Sequence, residues 1–314
     1  MKKSNQCIIT TTWEYGAGKQ GTSMGPINLL EACKHQNNHP FSDCNVFSVP
    51  QEIEEKEKIP LPTFLKRGAA FLKHQSKLAG LLESKLGDNH FPIILSGDHS
   101  NAVGGLAGFS RHFGASNSGI IWIDAHLDLH SPYTTPSGNI HGMALNTALN
   151  EDNVEFQIND LDDDTISLWE QIKSLKNNQN LQVFAPQNIV FIGIRSYEEQ
   201  EIELTKKLGI QVITAEEVHK NGIDAALQKA KEKLSNAAQI YVSFDVDSLD
   251  PSISVGTGTP VENGLSNDQA RSLLHQLYNW DKCKALEITE INPTLEDNNA
   301  MAMAICSLIQ DFMV

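Results

Sequence analysis

Short apolar runs, dense in isoleucine and valine, recur along the chain and constrain its fold more than any other feature. Examples are PIIL at 92–95, GIIWI at 119–123 and IVFIGI at 189–194. Their apolar residues are continuous rather than alternating, which is typical of strands in a parallel sheet covered on both faces. Segments with helical spacing separate the runs, so the sequence predicts an α/β fold with a mostly parallel central sheet.

The predicted elements alternate almost throughout the chain. Strands are predicted at 7–12, 45–49, 92–95, 119–123, 189–194, 239–246 and 285–289, and helices at 64–86, 101–113, 198–208, 222–234 and 267–280. No repeat or linker interrupts them, so a single domain spanning 1–314 is expected. A charge run at 51–58 is expected to be a solvated loop or helix face. The acidic stretch 150–165 lacks the ligand spacing of a calcium-binding EF-hand and is expected to be a surface loop.

The charge and cysteine content exclude several classes of protein. With 39 acidic and 24 basic residues, the formal net charge is −15, which argues against a nucleic-acid partner because such surfaces are normally basic. The five cysteines, at positions 7, 33, 44, 283 and 306, form no CxxC pair, so neither a disulfide framework nor a zinc ribbon is expected. No run approaches the ~18 apolar residues of a membrane helix, and the first residues do not resemble a secretory signal. The expected setting is therefore cytoplasmic and reducing, without a membrane partner.

A first cluster of potential metal ligands follows the predicted strand 119–123. Asp124, His126 and Asp128 occupy alternate positions, and extended backbone sends such side chains to the same side. Two carboxylates and an imidazole within mutual reach are costly to bury unless a cation joins them. The alternative is a set of helix caps and turn residues, which explains one aspartate more readily than the whole pattern.

Two more clusters stand at the ends of other predicted strands. Asp245 and Asp247 close the strand at 239–246, whereas Asp250 precedes a proline and is expected to be a turn residue. His99 follows the strand at 92–95. Ligands of open α/β sheets bind at the carboxyl ends of the strands, so these side chains are expected to converge. The histidines at 35, 39, 74, 90, 112, 219 and 275 have no such position and are expected to be packed or surface residues.

Together the clusters supply four aspartates and two histidines, a ligand set suited to two divalent cations. Oxygen-rich ligation with a little imidazole favours manganese or magnesium over zinc. Two ions ~3.5–4 Å apart can share a water molecule and lower its pKa for attack on an electrophilic carbon. The residues therefore predict a metal-dependent hydrolase without a protein nucleophile.

The order and spacing of these clusters resemble the ureohydrolase family, which includes arginases, agmatinases, formiminoglutamases and guanidino-acid hydrolases. The resemblance covers most of the chain, including the segments 16–26, 256–260, 290–293 and 295–302. It implies a three-layer α/β/α fold, homo-oligomers (trimers or hexamers) and two Mn²⁺ ions per subunit. The implied ligands of one ion are His99, Asp124, Asp128 and Asp245. Those of the other are Asp124, His126, Asp245 and Asp247, so that Asp124 and Asp245 bridge the ions.

The resemblance also implies catalytic roles. His141 matches a histidine that acts as a proton shuttle, a role suited to a side chain that titrates near neutral pH. Glu290 matches a carboxylate that pairs with the guanidinium group of the substrate, although a strand-end salt bridge is its alternative. Together with Asp128, these residues form the expected catalytic group.

The loop 131–143 resembles the arginase form of this segment, in which Ser137 and Asn139 bind the α-carboxylate of an amino acid. Two positions depart from the family pattern. His130 stands where many arginases have asparagine, and Glu198 stands where an aspartate commonly contacts the α-amino group. These four side chains, with Glu290, are the expected substrate contacts.

The leading functional hypothesis is hydrolysis of L-arginine to L-ornithine and urea. The alternatives are a ureohydrolase acting on agmatine, guanidinobutyrate or formiminoglutamate, and a family member without catalytic activity. A metal-dependent deacetylase shares the broad architecture, but the Glu290 motif and the paired aspartate clusters favour a guanidino substrate. The expected partner is therefore a small guanidino compound.

Overall fold

The computed structural model describes residues 5–34, 39–51, 63–176 and 183–313. Its centre is an eight-stranded parallel sheet in the order β2-β1-β3-β8-β7-β4-β5-β6. The strands are β1 (Gln6–Thr11), β2 (Asn45–Val49), β3 (Phe91–Ser96), β4 (Ser118–Ile123), β5 (Ile189–Ile194), β6 (Gln211–Thr214), β7 (Gln239–Asp245) and β8 (Cys283–Thr289).

Ten helices cover the two faces of this sheet. They are α1 (Gly25–Lys34), α2 (Gly68–Gly87), α3 (Ala102–Phe113), α4 (Ala144–Leu149), α5 (Asp163–Lys173), α6 (Glu199–Leu208), α7 (Ala215–Asn221), α8 (Ile223–Lys233), α9 (Asn267–Tyr278) and α10 (Ala300–Met313) among the residues described. Successive strand residues contribute to opposite layers, since Ile8 packs with α1 and α7–α10 whereas Ile9 packs with α2–α6. This confirms the predicted α/β/α fold with a parallel sheet.

Several elements escaped prediction. The edge strand β6 and the helices α1, α4, α5, α7 and α10 were not expected. The acidic stretch 150–165 was predicted as a surface loop, but its last residues begin α5. There the Asp162 carboxylate accepts a hydrogen bond from the Thr165 backbone N–H at 2.7 Å and caps the helix. Of the predicted charge run 51–58, all but Gln51 lies outside the described residues, as does His35.

Asp152 shows a second structural use of the acidic stretch. Its carboxylate accepts from the Lys173 ammonium at 2.9 and 3.0 Å and from the Trp169 indole N–H at 2.8 Å. Lys173 is almost fully buried, and burying an ammonium requires a paired charge. The acidic stretch is therefore tied to α5 rather than being only solvated.

One disulfide departs from the expectation drawn from cysteine spacing. Cys33 of α1 and Cys306 of α10 are bonded across a sequence separation of 273 residues, with Cα atoms 5.5 Å apart. Spacing along the chain gives no sign of this pair because only the packing of α1 against α10 brings the two together. In the described part of the chain, no helix has the length and apolar character that crossing a membrane requires.

Candidate metal centre

The predicted ligands meet at the carboxyl edge of the four central strands. His99 follows β3, Asp124 follows β4, and Asp245 is the last residue of β7. The strands β3, β8, β7 and β4 are consecutive in the sheet, so these positions are neighbours in space although far apart in sequence. Because the strands are parallel, all of their carboxyl ends open on the same side, where a cavity of about 240 Å³ lies.

A first group of ligands surrounds the His99 ring. Its Nδ1 lies 3.0 Å from Asp124 Oδ2, 3.1 Å from Asp245 Oδ2 and 3.2 Å from Asp128 Oδ2. This fully buried nitrogen makes no hydrogen bond with any described residue. Burial by itself lowers the pKa of His99, but the three carboxylates outweigh it and raise that pKa well above its usual value. An imidazole nitrogen and three carboxylate oxygens that converge on one point fit a divalent cation.

A second group forms around His126 and shares Asp124 with the first. His126 Nδ1 lies 3.1 Å from Asp247 Oδ2 and 3.4 Å from Asp124 Oδ1. Burial lowers the pKa of His126, whereas Asp247 and Asp124 more than offset this and raise it to about 12. Asp124 therefore has one oxygen facing each histidine, which is the arrangement of a carboxylate between two cations. The second oxygen of Asp245, its Oδ1, accepts the Asp247 backbone N–H at 2.8 Å.

Backbone geometry at the site is unusual in two places. Asp128 has a φ of 52° and Glu290 a φ of 66°, both in the left-handed region that side chains with a Cβ rarely adopt. Such conformations cost free energy and cluster at functional sites. The left-handed conformation of Asp128, in the loop after β4, turns its carboxylate toward the ligands. That of Glu290, directly after β8, does the same.

Glu290 and His141 lie beside the first ligand group. Glu290 Oε1 accepts the backbone N–H of His99 at 2.8 Å and lies 3.5 Å from His141 Nδ1. Burial lowers the pKa of His141, but the hydrogen bond and charge of Glu290, together with Asp128 and Asp98, raise it to about 9. The imidazole is therefore held as a proton donor next to the ligands.

Asp98 is a buried carboxylate that sequence reasoning passed over. It accepts the Ala17 backbone N–H at 2.8 Å and is hydrogen-bonded by the Ser100 side chain. Burial and the charge of Glu290 raise the pKa of Asp98 to about 7. Its neighbour His141 also holds this segment, because the His141 backbone N–H donates to Gly16 O at 3.1 Å. The segment after β1 is thereby tied to the edge of the cavity.

The predicted substrate contacts line one end of the same cavity: His130, Ser137, Asn139 and Glu198. His130 Nε2 lies 3.2 Å from Glu198 Oε2 and 3.7 Å from Glu201 Oε2. The hydrogen bond from His130 lowers the pKa of Glu198 to about 2, whereas burial raises that of Glu201 to about 8. Both departures from the family pattern are thus in contact with each other.

Four residues support the site without having been predicted. Glu201 and Thr259 line the cavity, and the Thr259 hydroxyl donates to Asp247 Oδ2 at 3.0 Å. The Lys66 ammonium donates to Asn139 Oδ1 at 2.8 Å. Arg195 donates to the backbone carbonyls of Gly193, Asp247, Ser248, Leu249, Val261 and Glu262. Thr259 stands in the GTGTP segment at 256–260, which is readable in the sequence. Glu201 lies in the first turn of α6, where its carboxylate accepts the Glu198 backbone N–H at 3.1 Å, and no sequence signal marks it.

All the predicted metal ligands and substrate contacts except Glu290 line the cavity. Glu290 contacts two of the lining residues, His99 and His141. Asp250 is a turn residue as expected, since its carboxylate accepts the Ser252 backbone N–H at 3.1 Å. The histidines assigned to packed or surface positions, as far as they are described, do not line the cavity.

Comparison with known proteins gives consistent matches. The profile described as the Arginase family matches residues 4–314. The arginase of Staphylococcus aureus strain COL is 35% identical over 314 residues, covering 97% of this chain and 95% of that protein. The arginase of Bacillus subtilis strain 168 is 30% identical over 309 residues, covering 98% and 96%. The solved structure of the arginase from Bacillus caldovelox has a TM-score of 0.85 at 28% identity, covering 100% of this chain and 98% of that one.

Proposed function

The chain belongs to the arginase family, and from this premise we propose that it is a two-manganese hydrolase that converts L-arginine and water into L-ornithine and urea. That it is an arginase-like ureohydrolase follows from the family and its structures. The observation that supports two ions rather than one is the Asp124 carboxylate, whose oxygens face His99 and His126 separately.

The residues present fit the proposed ions. His99, Asp124, Asp128 and Asp245 would hold one ion, and Asp124, His126, Asp245 and Asp247 would hold the other. The chemistry that bound manganese ions supply is the activation of a water molecule for attack on the guanidinium carbon. Burial raises the pKa of Asp245, and the negative charges of Asp247 and Asp124 raise it further. Cations would relieve this repulsion among the clustered carboxylates.

The protein side chains would orient the substrate and move the proton. Glu290, fixed by the His99 backbone N–H, would accept two N–H groups of the planar guanidinium. His141 would donate its proton to the δ-nitrogen of the departing ornithine, since the surrounding carboxylates hold it protonated.

The other end of the cavity would bind the amino-acid part of the substrate. Ser137, Asn139 and His130 offer hydrogen-bond donors to an α-carboxylate, and Glu198 offers an acceptor to an α-ammonium group. In the structure His130 and Glu198 satisfy each other at 3.2 Å. The α-carboxylate of an amino acid would pair with His130 and its α-ammonium group with Glu198. Both side chains would then have new partners in place of their ion pair with each other.

One observation favours the second candidate, a ureohydrolase for another guanidino or formimino compound. His130 and Glu198 form an ion pair at the positions where arginases commonly have asparagine and aspartate. The hydrogen-bonding groups offered to the tail of the substrate therefore differ from those of the common arginase pattern. Agmatine, which lacks a carboxylate, would leave His130 without a new partner. Guanidinobutyrate and formiminoglutamate would each supply a carboxylate, but the rest of each molecule differs from L-arginine.

The deciding experiment is a side-by-side assay after loading with Mn²⁺. L-arginine, agmatine and guanidinobutyrate are assayed for urea, and formiminoglutamate for formamide. The proposal expects L-arginine to have the highest kcat/KM. Turnover of another substrate without urea from L-arginine would establish the second candidate. Tight binding of two ions without turnover of any substrate would establish a non-catalytic family member.

We also propose a cytoplasmic homo-oligomer, a trimer or hexamer, with no nucleic-acid or membrane partner. The support is the family resemblance for assembly and the net charge of −15 for the absence of nucleic-acid binding. Sedimentation equilibrium of the purified protein measures the assembly directly, and a monomer at micromolar concentration would contradict it.

A further inference from the structure

Glu287 is a buried carboxylate near the metal centre that has no role among the ligands. It lies in the middle of β8 and is 0% exposed. Three hydroxyl groups donate to it: Ser96 to Oε1 at 2.6 Å, and Ser243 and Tyr241 to Oε2 at 2.9 and 3.0 Å. In the described residues no lysine, arginine or histidine forms an ion pair with it. Burying a carboxylate costs free energy, so its presence in the core calls for a functional explanation.

The direction of the hydrogen bonds connects Glu287 to a predicted metal ligand. The Ser243 hydroxyl donates its single hydrogen to Glu287 Oε2 at 2.9 Å. The Ser243 oxygen is then left as an acceptor, and it lies 2.8 Å from His99 Nε2. His99 Nε2 must therefore carry the hydrogen of this bond.

This assignment leaves His99 Nδ1 as the ring nitrogen whose lone pair a cation can take in exchange for a proton. Nδ1 is the atom that faces Asp124, Asp128 and Asp245 and that makes no hydrogen bond with described residues. Trp122 stacks on the imidazole at a centroid distance of 4.0 Å and an interplanar angle of 9°, which fixes the plane of the ring. Stacking sets the plane, and the Ser243 bond sets which nitrogen points to the cation.

We propose that Glu287 is a positioning residue for the metal centre, which acts through Ser243 to keep His99 Nδ1 as the ligand atom of one cation site. The inference rests on the proposed function only for the identity of the cation. A partner of a ligating histidine typically accounts for about 10–100-fold in metal affinity. Only the affinity for the ion held by His99 is expected to change, because His126 makes no hydrogen bond with Glu287 or Ser243.

The test is Mn²⁺ titration of the metal-free protein by calorimetry, with the free ion followed by electron paramagnetic resonance. Glu287→Met removes the acceptor at nearly constant volume, and Ser243→Ala removes the bond to His99. Each is expected to weaken one of the two ions by about 10–100-fold and to leave the other unchanged. The double variant is expected to lose no more than Ser243→Ala alone because both changes break the same chain of bonds.

The matched controls are Tyr241→Phe and Ser96→Ala, which remove donors to Glu287 but leave the bonds from Glu287 through Ser243 to His99. Both are expected to bind the two ions as the unchanged protein does. Glu287→Gln is expected to retain most of the affinity, since its amide oxygen can face Tyr241 and Ser243 while its amide NH₂ faces Ser96. Thermal unfolding of each metal-free variant shows whether it is folded.

Several outcomes would overturn the proposal. They are unchanged binding of both ions by folded Ser243→Ala, an equal loss at both ions, and additive losses in the double variant. If Glu287→Met does not fold, the proposal is still tested by the weaker binding expected of Ser243→Ala and the retained binding expected of Glu287→Gln. Failure of the proposed function has a separate signature, because it would show as fewer than two ions bound, or no urea, in the unchanged protein.

Discussion

Asp128 combines a predicted ligand role with a left-handed backbone conformation, and two substitutions separate these properties. Asp128→Ala and Asp128→Asn both remove the charge near His99 Nδ1, so both are expected to abolish tight binding of that ion and activity. Alanine must also adopt a φ of 52°, which costs about 1 kcal/mol more than asparagine, a residue that tolerates this region. Mn²⁺ titration, urea release and unfolding of the metal-free protein measure the three effects. Full activity with one ion or none would contradict the two-ion mechanism.

Proton competition at the histidines gives a pH dependence with a definite sign. The pKa of His126 is raised to about 12 and that of His99 is also raised, so both rings are protonated at neutral pH while the carboxylates face them. A cation must displace these protons, so Mn²⁺ binding is expected to release protons and its apparent affinity to rise with pH. Calorimetry in two buffers with different heats of ionisation counts the protons. Heats of binding that do not change with buffer at pH 7 would disagree with this account.

Glu198 gives a residue-scale test of substrate choice. Glu198→Gln removes the charge opposed to His130 and the proposed partner of an α-ammonium group. A charged hydrogen bond contributes about 1.5–3 kcal/mol, so kcat/KM for L-arginine is expected to fall by about 10–100-fold. Arginine without its amino group, 5-guanidinopentanoate, serves as the control substrate and is expected to lose much less. An equal loss for both substrates would show that Glu198 does not contact the amino group.

At the residue scale, sequence positions at strand ends predicted which side chains meet. Asp124, Asp128 and Asp245 lie around His99 because each follows or closes a strand whose type was readable. The supporting residues were not predictable in the same way. Glu287 stands inside a strand, and its link to His99 runs through Ser243 of another strand, so it depends on sheet order.

At the scale of secondary structure, helix α5 depends on an ion pair formed with the loop before it. Asp152→Asn leaves the buried Lys173 ammonium without its main carboxylate partner, although Glu170 remains 2.7 Å away. Removing one member of a buried pair costs about 3–5 kcal/mol when no partner remains, so with Glu170 still paired to Lys173 the expected loss is smaller, about 1.5–3 kcal/mol. Chemical denaturation measures it, with the exposed Asp160→Asn as the matched control. Equal free energies of unfolding for the two variants would show that the ion pair between Asp152 and Lys173 does not stabilise the protein.

Predicted and observed elements differ for physical reasons. The seven predicted strands are all present, and six of them are buried on both faces. The exception is the edge strand β2, in which only Val49 is buried. Strand β6 has only four residues at the sheet edge, with one of them buried, so it gives no apolar run. Helix α10 buries a single face, which includes Met301, Ile305 and Leu308, but its opposite face also carries apolar residues such as the exposed Met303, so the sequence shows little contrast between the two faces.

At the scale of the molecule, the Cys33–Cys306 bond joins α1 to α10. Thiol titration of the denatured, unreduced protein is expected to give three thiols, those of Cys7, Cys44 and Cys283, rather than five. A crosslink over so long a segment stabilises by about 2–4 kcal/mol, so reduction is expected to lower the free energy of unfolding by that amount. The double variant Cys33→Ala/Cys306→Ala should not respond to reductant. Five thiols without reductant would show that the bond does not form.

The overall architecture was predictable from the alternation of elements, but the order of the strands was not. Parallel pairing gives each strand the same direction and the same active edge, whichever neighbours it has. Nothing in the apolar run at 285–289 shows that β8 pairs with both β3 and β7. That placement brings His99 and Asp245 to the two sides of Glu290.

The central position of β8 has a consequence for how the protein is made. Of the eight strands, the one that leaves the ribosome last fills the gap between β3 and β7. Until it emerges, each of these two strands has one open edge, which is a template for wrong pairing with other chains. A nascent chain can therefore assemble the two halves of its sheet early, but it can neither join them nor complete the ligand cluster until β8 has left the ribosome.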